Sequence, residues 1–308
     1  MTNPFSFSDT NKRYYTFDYM MRKRFGSKCV KIPIDAGFTC PNIDGKCGKG
    51  GCTYCTLPHR NSDMRGLDFE TQYLTQSEKL SSKWHGALRL PYFQDYTNTY
   101  APIERLKEIY EKALALPEAI GLDIATRADA IDDECLEYLK ELNERTFLIL
   151  ELGLQTIHDK TASLINRGHS YEKFLEAYEK LKELNVCIHI INSLPGETEE
   201  MMLDTAREIA RLHPFMLKIH MLYIEEGTPI AQEYKNGGFE LLSLGEYVEV
   251  TCKQLELLPP DICIGRITGD GQKNTLIAPQ WSKKKFVVMN EIDKYLSKHN
   301  SMQGILYK

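Results

Sequence analysis

Four cysteines fall within one eighteen-residue stretch, FTCPNIDGKCGKGGCTYC (38–55): Cys40, Cys47, Cys52 and Cys55. Their spacing is Cys40-x11-Cys52-x2-Cys55, with Cys47 extra. Gly45, Gly48, Gly50 and Gly51 let the backbone curl tightly and turn its N–H groups inward. Thiols in such a loop bind metal or do redox chemistry, and three chemistries compete. A structural zinc ion could take all four thiolates, although zinc loops usually pair two CxxC-like knuckles and only Cys52–Cys55 forms one. A thioredoxin-type redox pair needs just two cysteines at a helix start. An iron–sulfur cluster needs several converging thiolates and amide donors to its sulfurs. Three cysteines would hold such a cluster and leave one iron open. Spacing alone favours the cluster and leaves the other two chemistries standing.

The surrounding composition bounds the setting. The chain has 308 residues, nine cysteines and a net charge of −5, enough for one large domain or a domain with an appendage. No window approaches eighteen uninterrupted apolar residues, so no membrane span is expected. The opening MTNPFSFSDTNKRYY lacks a charged segment followed by an apolar one, so no signal peptide is expected and the chain is placed in the cytoplasm. There, an odd number of cysteines reads as thiols or metal ligands rather than disulfides. Charge is uneven: Lys12, Arg13, Arg22, Lys23, Arg24, Lys28 and Lys31 face Asp18 alone, and Lys283, Lys284 and Lys285 run together near the other end. Basic ends around an acidic middle suit phosphates, or are solvated helix faces.

Six apolar, β-branched runs recur, each followed by a charged helical pattern. They are CVKIPID (29–35), ALRLPYF (87–93), AIGLDIAT (119–126), TFLILELGL (146–154), VCIHIINSL (186–194) and FMLKIHMLYI (215–224). Asp132 with Asp133, Ser170 and Thr198 mark helix starts. Leu175, Tyr178, Leu181 and Leu184 share one helical stripe. Strand and helix alternating six times predicts parallel strands joined by right-handed crossovers, an α/β fold that is either an open sheet or a partial (β/α)6 barrel. In either case ligands sit at the C-terminal strand ends, where KIPIDAGFTC delivers Cys40. Beyond about Gly227 the pattern changes to one helix, a strand-like ICIGRITG, a polar loop and a final helix. The division expected is a basic, aromatic lead over 1–28, the barrel over 29–226 and a C-terminal segment over 227–308 that completes the substrate side.

Cysteines after the first strand of a six-unit β/α chain, with an aromatic inside the CxxC, resemble the radical S-adenosylmethionine superfamily. The gap of eleven, with CPN after the strand and CTYC at the end, is similar to the branch containing the catalytic subunit of Elongator. The resemblance implies a radical-type partial barrel holding a [4Fe-4S] cluster on Cys40, Cys52 and Cys55, with Cys47 a bystander. It also implies S-adenosylmethionine on the open iron, and an oxygen-sensitive site. ELGLQTIHDKTASLINRGHS (151–170) is similar to a fourth-strand motif whose glutamine and arginine hold that cofactor, here Gln155 and Arg167. A planar guanidinium suits the methionyl carboxylate. His189 falls where relatives place a polar cofactor contact, or is a hydrogen-bonded core residue. Gln94 and Thr97 in YFQDYTNTYAP would replace the usual Gly-Gly-Glu-like stretch. Thr126 stands near a ribose position whose carboxylate is absent, since its neighbour is Ala125. Tyr54 and Met221, the latter at the sixth strand edging the adenine, complete the expected cofactor contacts.

The resemblance narrows further to small bacterial relatives of the Elongator subunit, of the YtqA or MnmL type, with no acetyltransferase domain. It implies a cytoplasmic enzyme converting carboxymethylaminomethyluridine at the tRNA wobble position to aminomethyluridine, fed electrons by a flavodoxin- or ferredoxin-type reductase. Expected tRNA contacts are Arg13, Arg22, Lys23 and Arg24, interleaved with Tyr14, Tyr15, Phe17 and Tyr19, together with Asp270, Lys283 and Lys284. The N-terminal group reads equally as a helix packing its aromatics on the barrel. A radical enzyme acting on a small metabolite or peptide, and a zinc-stabilised nucleic-acid-binding protein, remain as alternatives.

Overall fold

A computed structural model describes residues 5–56, 66–269 and 271–308. In chain order the elements are α1 (Phe17–Phe25), β1 (Cys29–Ile34), α2 (Pro41–Asp44), α3 (Phe69–Ser81), β2 (Leu88–Phe93), α4 (Ile103–Leu114), β3 (Gly121–Thr126), α5 (Asp133–Arg145) and β4 (Phe147–Gln155). There follow α6 (Asp159–Leu164), α7 (Tyr171–Leu181), β5 (Val186–Asn192), α8 (Glu199–Leu212), β6 (Met216–Met221), β7 (Ile224–Glu225), α9 (Pro229–Lys235) and α10 (Leu244–Leu257). The chain closes with β8 (Cys263–Arg266), β9 (Leu276–Ala278), a 3-10 turn (Gln280–Lys283) and α11 (Lys285–Lys298). Each of the six apolar runs forms a strand, and Asp132, Ser170 and Thr198 cap α5, α7 and α8 by accepting from the N–H three residues on. The buried stripe of α7 begins at Phe174 rather than Leu175 and continues through Tyr178 and Leu181.

The main sheet is parallel in the order β1-β2-β3-β4-β5-β6-β8. It therefore has seven strands, one more than the expected barrel: the ICIGR run leaves the C-terminal segment to pair with β6. Its outer edge does not stay open. Ile264 N–H donates to Tyr15 O at 2.7 Å, and Thr16 bridges Ile264 in parallel, so the N-terminal lead covers an edge that would otherwise invite pairing. Past the end of β6, β7 pairs antiparallel with β9.

The barrel interior follows from the two-residue period of strands. At the N-terminal strand ends, Cys29, Leu90, Ile149, Cys187, Met216 and Cys263 form an apolar plug that α1 seals with Met20 and Met21. Two residues further along the same strands stand Lys31, Tyr92, Glu151, His189 and Lys218, joined from β3 by Asp123. Two further again come Gln94, Gly153, Ile191 and His220, which border an open cavity. An apolar floor, a charged middle layer and an open mouth are thus stacked by the two-residue period of strands that tilt around the barrel.

Candidate active site

The cysteine loop leaves β1 at the mouth of the barrel. Cys40 is the N-cap of α2, whose Pro41 supplies the fixed φ of a first helical turn. Asn42, fully buried, anchors the return: its Nδ2 donates to Asn166 O at 2.7 Å and lies 3.6 Å from Cys52 Sγ. Gly51 N–H donates to Asn42 O, Thr53 N–H to Ile165 O, and Asn166 Nδ2 to Gly51 O at 2.7 Å, so the turn after α6 stitches the loop to the barrel. Cys40, Cys52 and Cys55 all border one cavity of about 290 Å³, whereas Cys47 is exposed and does not. The Cys52 thiol is brought down to about 6, first by a hydrogen bond with Cys55 and then by the Arg127 guanidinium, with Tyr54 and Asn42 also acting on the sulfur. A thiol so placed is thiolate near neutrality and ready for a soft metal.

Two glycines, Gly48 and Gly168, make the anchor fit, since a Cβ at either would run into the Asn42 side chain. A Cβ at Gly168, whose φ is +87°, would stand 2.7 Å from Asn42 Oδ1 and 3.2 Å from an Arg127 guanidinium nitrogen. Gly168→Ala is therefore expected to cost about 1–3 kcal/mol from backbone strain and overpacking together. It is also expected to lower the iron bound per chain after anaerobic reconstitution, because Asn42 must move. Urea unfolding and iron analysis on the same preparation check both effects.

The cavity wall gathers most of the residues expected to meet a cofactor: Tyr54, Gln94, Thr97, Thr126, Gln155, His189 and Met221 all line it. Thr97 Oγ1 is buried with no partner among the described residues, a hydroxyl waiting for a ligand. Thr126 Oγ1 is shared with Thr99 at 2.5 Å, and Gln155 holds a positive φ of 62° at the strand end. Arg167 departs from expectation. It is buried and its fork is spent on protein: Leu154 O and Thr156 O at 2.6 Å, His169 O at 3.0 Å and Asp159 Oδ1 at 3.2 Å. It does not line the cavity, because the end of β4 presents carbonyls that need donors and the arginine satisfies them. Arg127 reaches the cavity instead, held in a bidentate pair with Asp129 at 2.7 and 2.8 Å. Asp95, Arg266 and Tyr223 also line the wall and were not singled out from the sequence. The glycines of RITGDG explain part of this: a Cβ at Gly269 would come within 2.9 Å of the Tyr223 ring, and one at Gly271 within 3.3 Å.

The charged layer, centred on Glu151, forms the floor of the cavity: Tyr92, Glu151, His189 and Lys218 all line it. The Glu151 carboxylate receives Lys31 Nζ at 2.8 Å, Lys218 Nζ at 2.5 and 2.6 Å, and the Tyr92 hydroxyl at 2.7 Å, while His189 Nε2 lies 2.8 Å away. Lys31 also pairs with Asp123. Burial alone would raise the Glu151 pKa, but Lys218, Lys31 and His189 outweigh it and hold the carboxyl well below the usual range. Asp123, buried beside that charge, is pushed up to about 7. Burial lowers both His189 and Lys218. Glu151, Cys187 and His189 bring an oxygen, a sulfur and a nitrogen within 4.8 Å of one another. They make a poor metal site: two lysines already hold the carboxylate, and burial, with Glu151 beside it, keeps the Cys187 thiol protonated.

The expected tRNA contacts separate by position. Arg22, Lys23 and Arg24 lie on α1, which seals the N-terminal end of the barrel, opposite the cavity. Arg22 pairs with Asp18, Arg24 lies over the Phe25 and Phe147 rings, and Arg13 donates to Ser301 O. The reading of this segment as a helix packed on the barrel is the one the structure follows. Lys283 and Lys284 are exposed and follow β9 at the cavity end. Asp270 lies outside the described residues.

The sequence profile of the Radical SAM superfamily matches residues 44–209, and that of the Radical_SAM C-terminal domain matches 214–298. Protein YtqA of Bacillus subtilis is 44% identical over 311 residues, spanning 99% of this chain and 96% of its own. The tRNA uridine(34) acetyltransferase of Methanocaldococcus infernus is 29% identical over 177 residues, 54% of this chain and 33% of that protein. Among solved structures, the archaeal Methanocaldococcus infernus Elp3 lacking its N-terminus superposes with a TM-score of 0.66 at 20% identity, covering 90% of this chain and 64% of that one. No helix among the described residues is long and apolar enough to cross a membrane. With the partial barrel, the cysteine loop at its mouth and a profile covering more than half the sequence, the chain belongs to the radical S-adenosylmethionine superfamily.

Proposed function

We propose that this protein is a [4Fe-4S]-dependent radical enzyme that acts on the C5 side chain of the tRNA wobble uridine, taking carboxymethylaminomethyluridine to aminomethyluridine. The observation that carries the radical chemistry is the convergence of Cys40, Cys52 and Cys55 on one cavity at the C-terminal strand ends. The donor set fits the cofactors: three thiols for three irons, one of them low in pKa, and an unpartnered Thr97 hydroxyl further along the wall. When bound, the cluster and S-adenosylmethionine would supply one-electron radical chemistry toward a C–H bond of the substrate.

The protein's own groups bind, aim and shield. Cys40, Cys52 and Cys55 hold the cluster, and Asn42 fixes the loop that carries them. Arg127 and Asp95 offer opposite charges to the two ends of an amino-acid moiety, the carboxylate and the amine. Gln94, Thr126, Gln155, His189 and Met221 wall the remaining space, and the plug beneath the charged layer keeps the bottom of the barrel dry. Lys283 and Lys284, next to Phe286 at 67% exposure, suit a phosphate contact with an adjacent stacking surface at the cavity end.

The tRNA substrate is supported by the relative named for uridine 34, and the nucleosides of a deletion strain would test it. A strain lacking the protein is expected to accumulate carboxymethylaminomethyl nucleosides and lose aminomethyl ones, read by mass spectrometry of digested tRNA. Unchanged nucleosides, with deoxyadenosine release retained in vitro, would move the substrate to a metabolite or peptide.

A further inference from the structure

The charged layer is not symmetrical. Lys31 and Lys218 are matched by Glu151 and Asp123, two cations against two carboxylates. Arg266 is left over. It ends β8 opposite Lys218 of β6, lines the cavity, acts electrostatically on the Tyr92 hydroxyl beneath, and makes no ion pair among the described residues. Space is kept for the two cations side by side: a Cβ at Gly265 would stand 2.8 Å from Met216 Sδ and 3.3 Å from Lys218 Cγ. The His189 and His220 rings, 5.4 Å apart, complete this side of the wall. The other cavity carboxylate, Asp95, stands after β2, where Thr97 N–H donates to Thr39 O of the cysteine loop. The cavity is thus polarised, with its surplus cation on the β6–β8 side.

We propose that the β6–β8 side of the cavity is an anion pocket in which Arg266, the cation left without a carboxylate, receives a carboxylate of the substrate. A guanidinium offers a planar fork that a carboxylate matches with two parallel hydrogen bonds. Bound there, the carboxylate places the carbon next to it in the open part of the cavity. The pocket would select a substrate bearing an acid and release one that has lost it. The pocket follows from the charges; that its ligand is the carboxymethyl group of the wobble uridine rests on the tRNA reading.

Two probes test it on anaerobically reconstituted protein. Wild type is expected to bind tRNA carrying the carboxymethylaminomethyl group about ten-fold more tightly than tRNA carrying the aminomethyl group, as one charged hydrogen-bonding contact allows. Arg266→Gln is expected to bind the two alike, and Arg266→Lys to keep part of the preference. Iminodiacetate, a secondary amine with two acetate arms, is expected to raise the melting temperature of wild type and not of Arg266→Gln. No iminodiacetate response in wild type overturns the pocket, and a tRNA preference that survives in Arg266→Gln overturns the role of Arg266. Should the deletion strain show unchanged wobble nucleosides, only the tRNA reading falls, and the iminodiacetate response still decides the pocket.

Discussion

Cys40→Ala, Cys52→Ala and Cys55→Ala are each expected to leave anaerobically reconstituted protein with iron near background, while Cys47→Ala keeps wild-type iron. The asymmetry is geometric. The first three thiols border the cavity, and Cys47, nearer in sequence to the CxxC than Cys40 is, points out into solvent. Removing a thiolate from a three-thiolate set leaves two irons held and two open, and neighbouring water cannot replace the lost charge. The fold should survive all four changes, because the loop is tied down by Asn42 and Asn166 rather than by sulfur. Iron and zinc content per chain, with circular dichroism as the folding control, decides the matter. Full iron in Cys40→Ala would mean that the third ligand lies elsewhere, and one zinc per wild-type chain would remove the radical chemistry altogether.

What the sequence carried was local. The six runs announced their strands because β-branched apolar stretches bounded by helix caps fit a buried parallel sheet. The thiol spacing, with its glycines, pointed to the loop at the strand ends. Three things depended on partners distant in sequence. The fork of Arg167 was claimed by the carbonyls of β4, which only packing could reveal. The strand β8 pairs with β6 only because the intervening β7, α9 and α10 return the chain to that edge, and its far side is met by Thr16. The charged layer left a trace that went unread. Lys31, Asp123, Glu151, His189 and Lys218 each interrupt an otherwise apolar run near its middle. A polar residue inside five of six strands is a layer of the barrel: strand tilt brings Glu151 to Lys31, His189 and Lys218, although its register partners are Ala125 and Cys187. Arg266 had no such trace, because the register shift between β6 and β8 decides which way it faces.

That layer makes Glu151 the residue whose loss should cost the fold most. Glu151→Gln keeps the shape and one acceptor for the Tyr92 hydroxyl, but it leaves Lys31 and Lys218 buried with Asp123 as the remaining carboxylate. Removing one partner of a buried ion pair typically costs about 3–5 kcal/mol, a large share of the 5–15 kcal/mol that holds a domain of ordinary stability. Urea unfolding should show that loss with little change in slope. Adding Lys218→Met to Glu151→Gln should restore part of it, because the second change removes a stranded charge rather than a contact. The pH dependence separates the two carboxylates. Glu151 is held below its unfolded value of about 4.3, so its stabilisation is present above that pH and fades as pH falls through the folded value. Asp123 runs the other way: raised to about 7 from an unfolded value near 3.9, its contribution is full in acid and lost as pH rises toward 7. Asp123→Asn should therefore flatten the decline of stability between about pH 4 and 7, while Glu151→Gln removes the acid limb. A Glu151→Gln protein within about 1 kcal/mol of wild type would mean that water from the cavity screens the lysines well enough to replace the lost carboxylate.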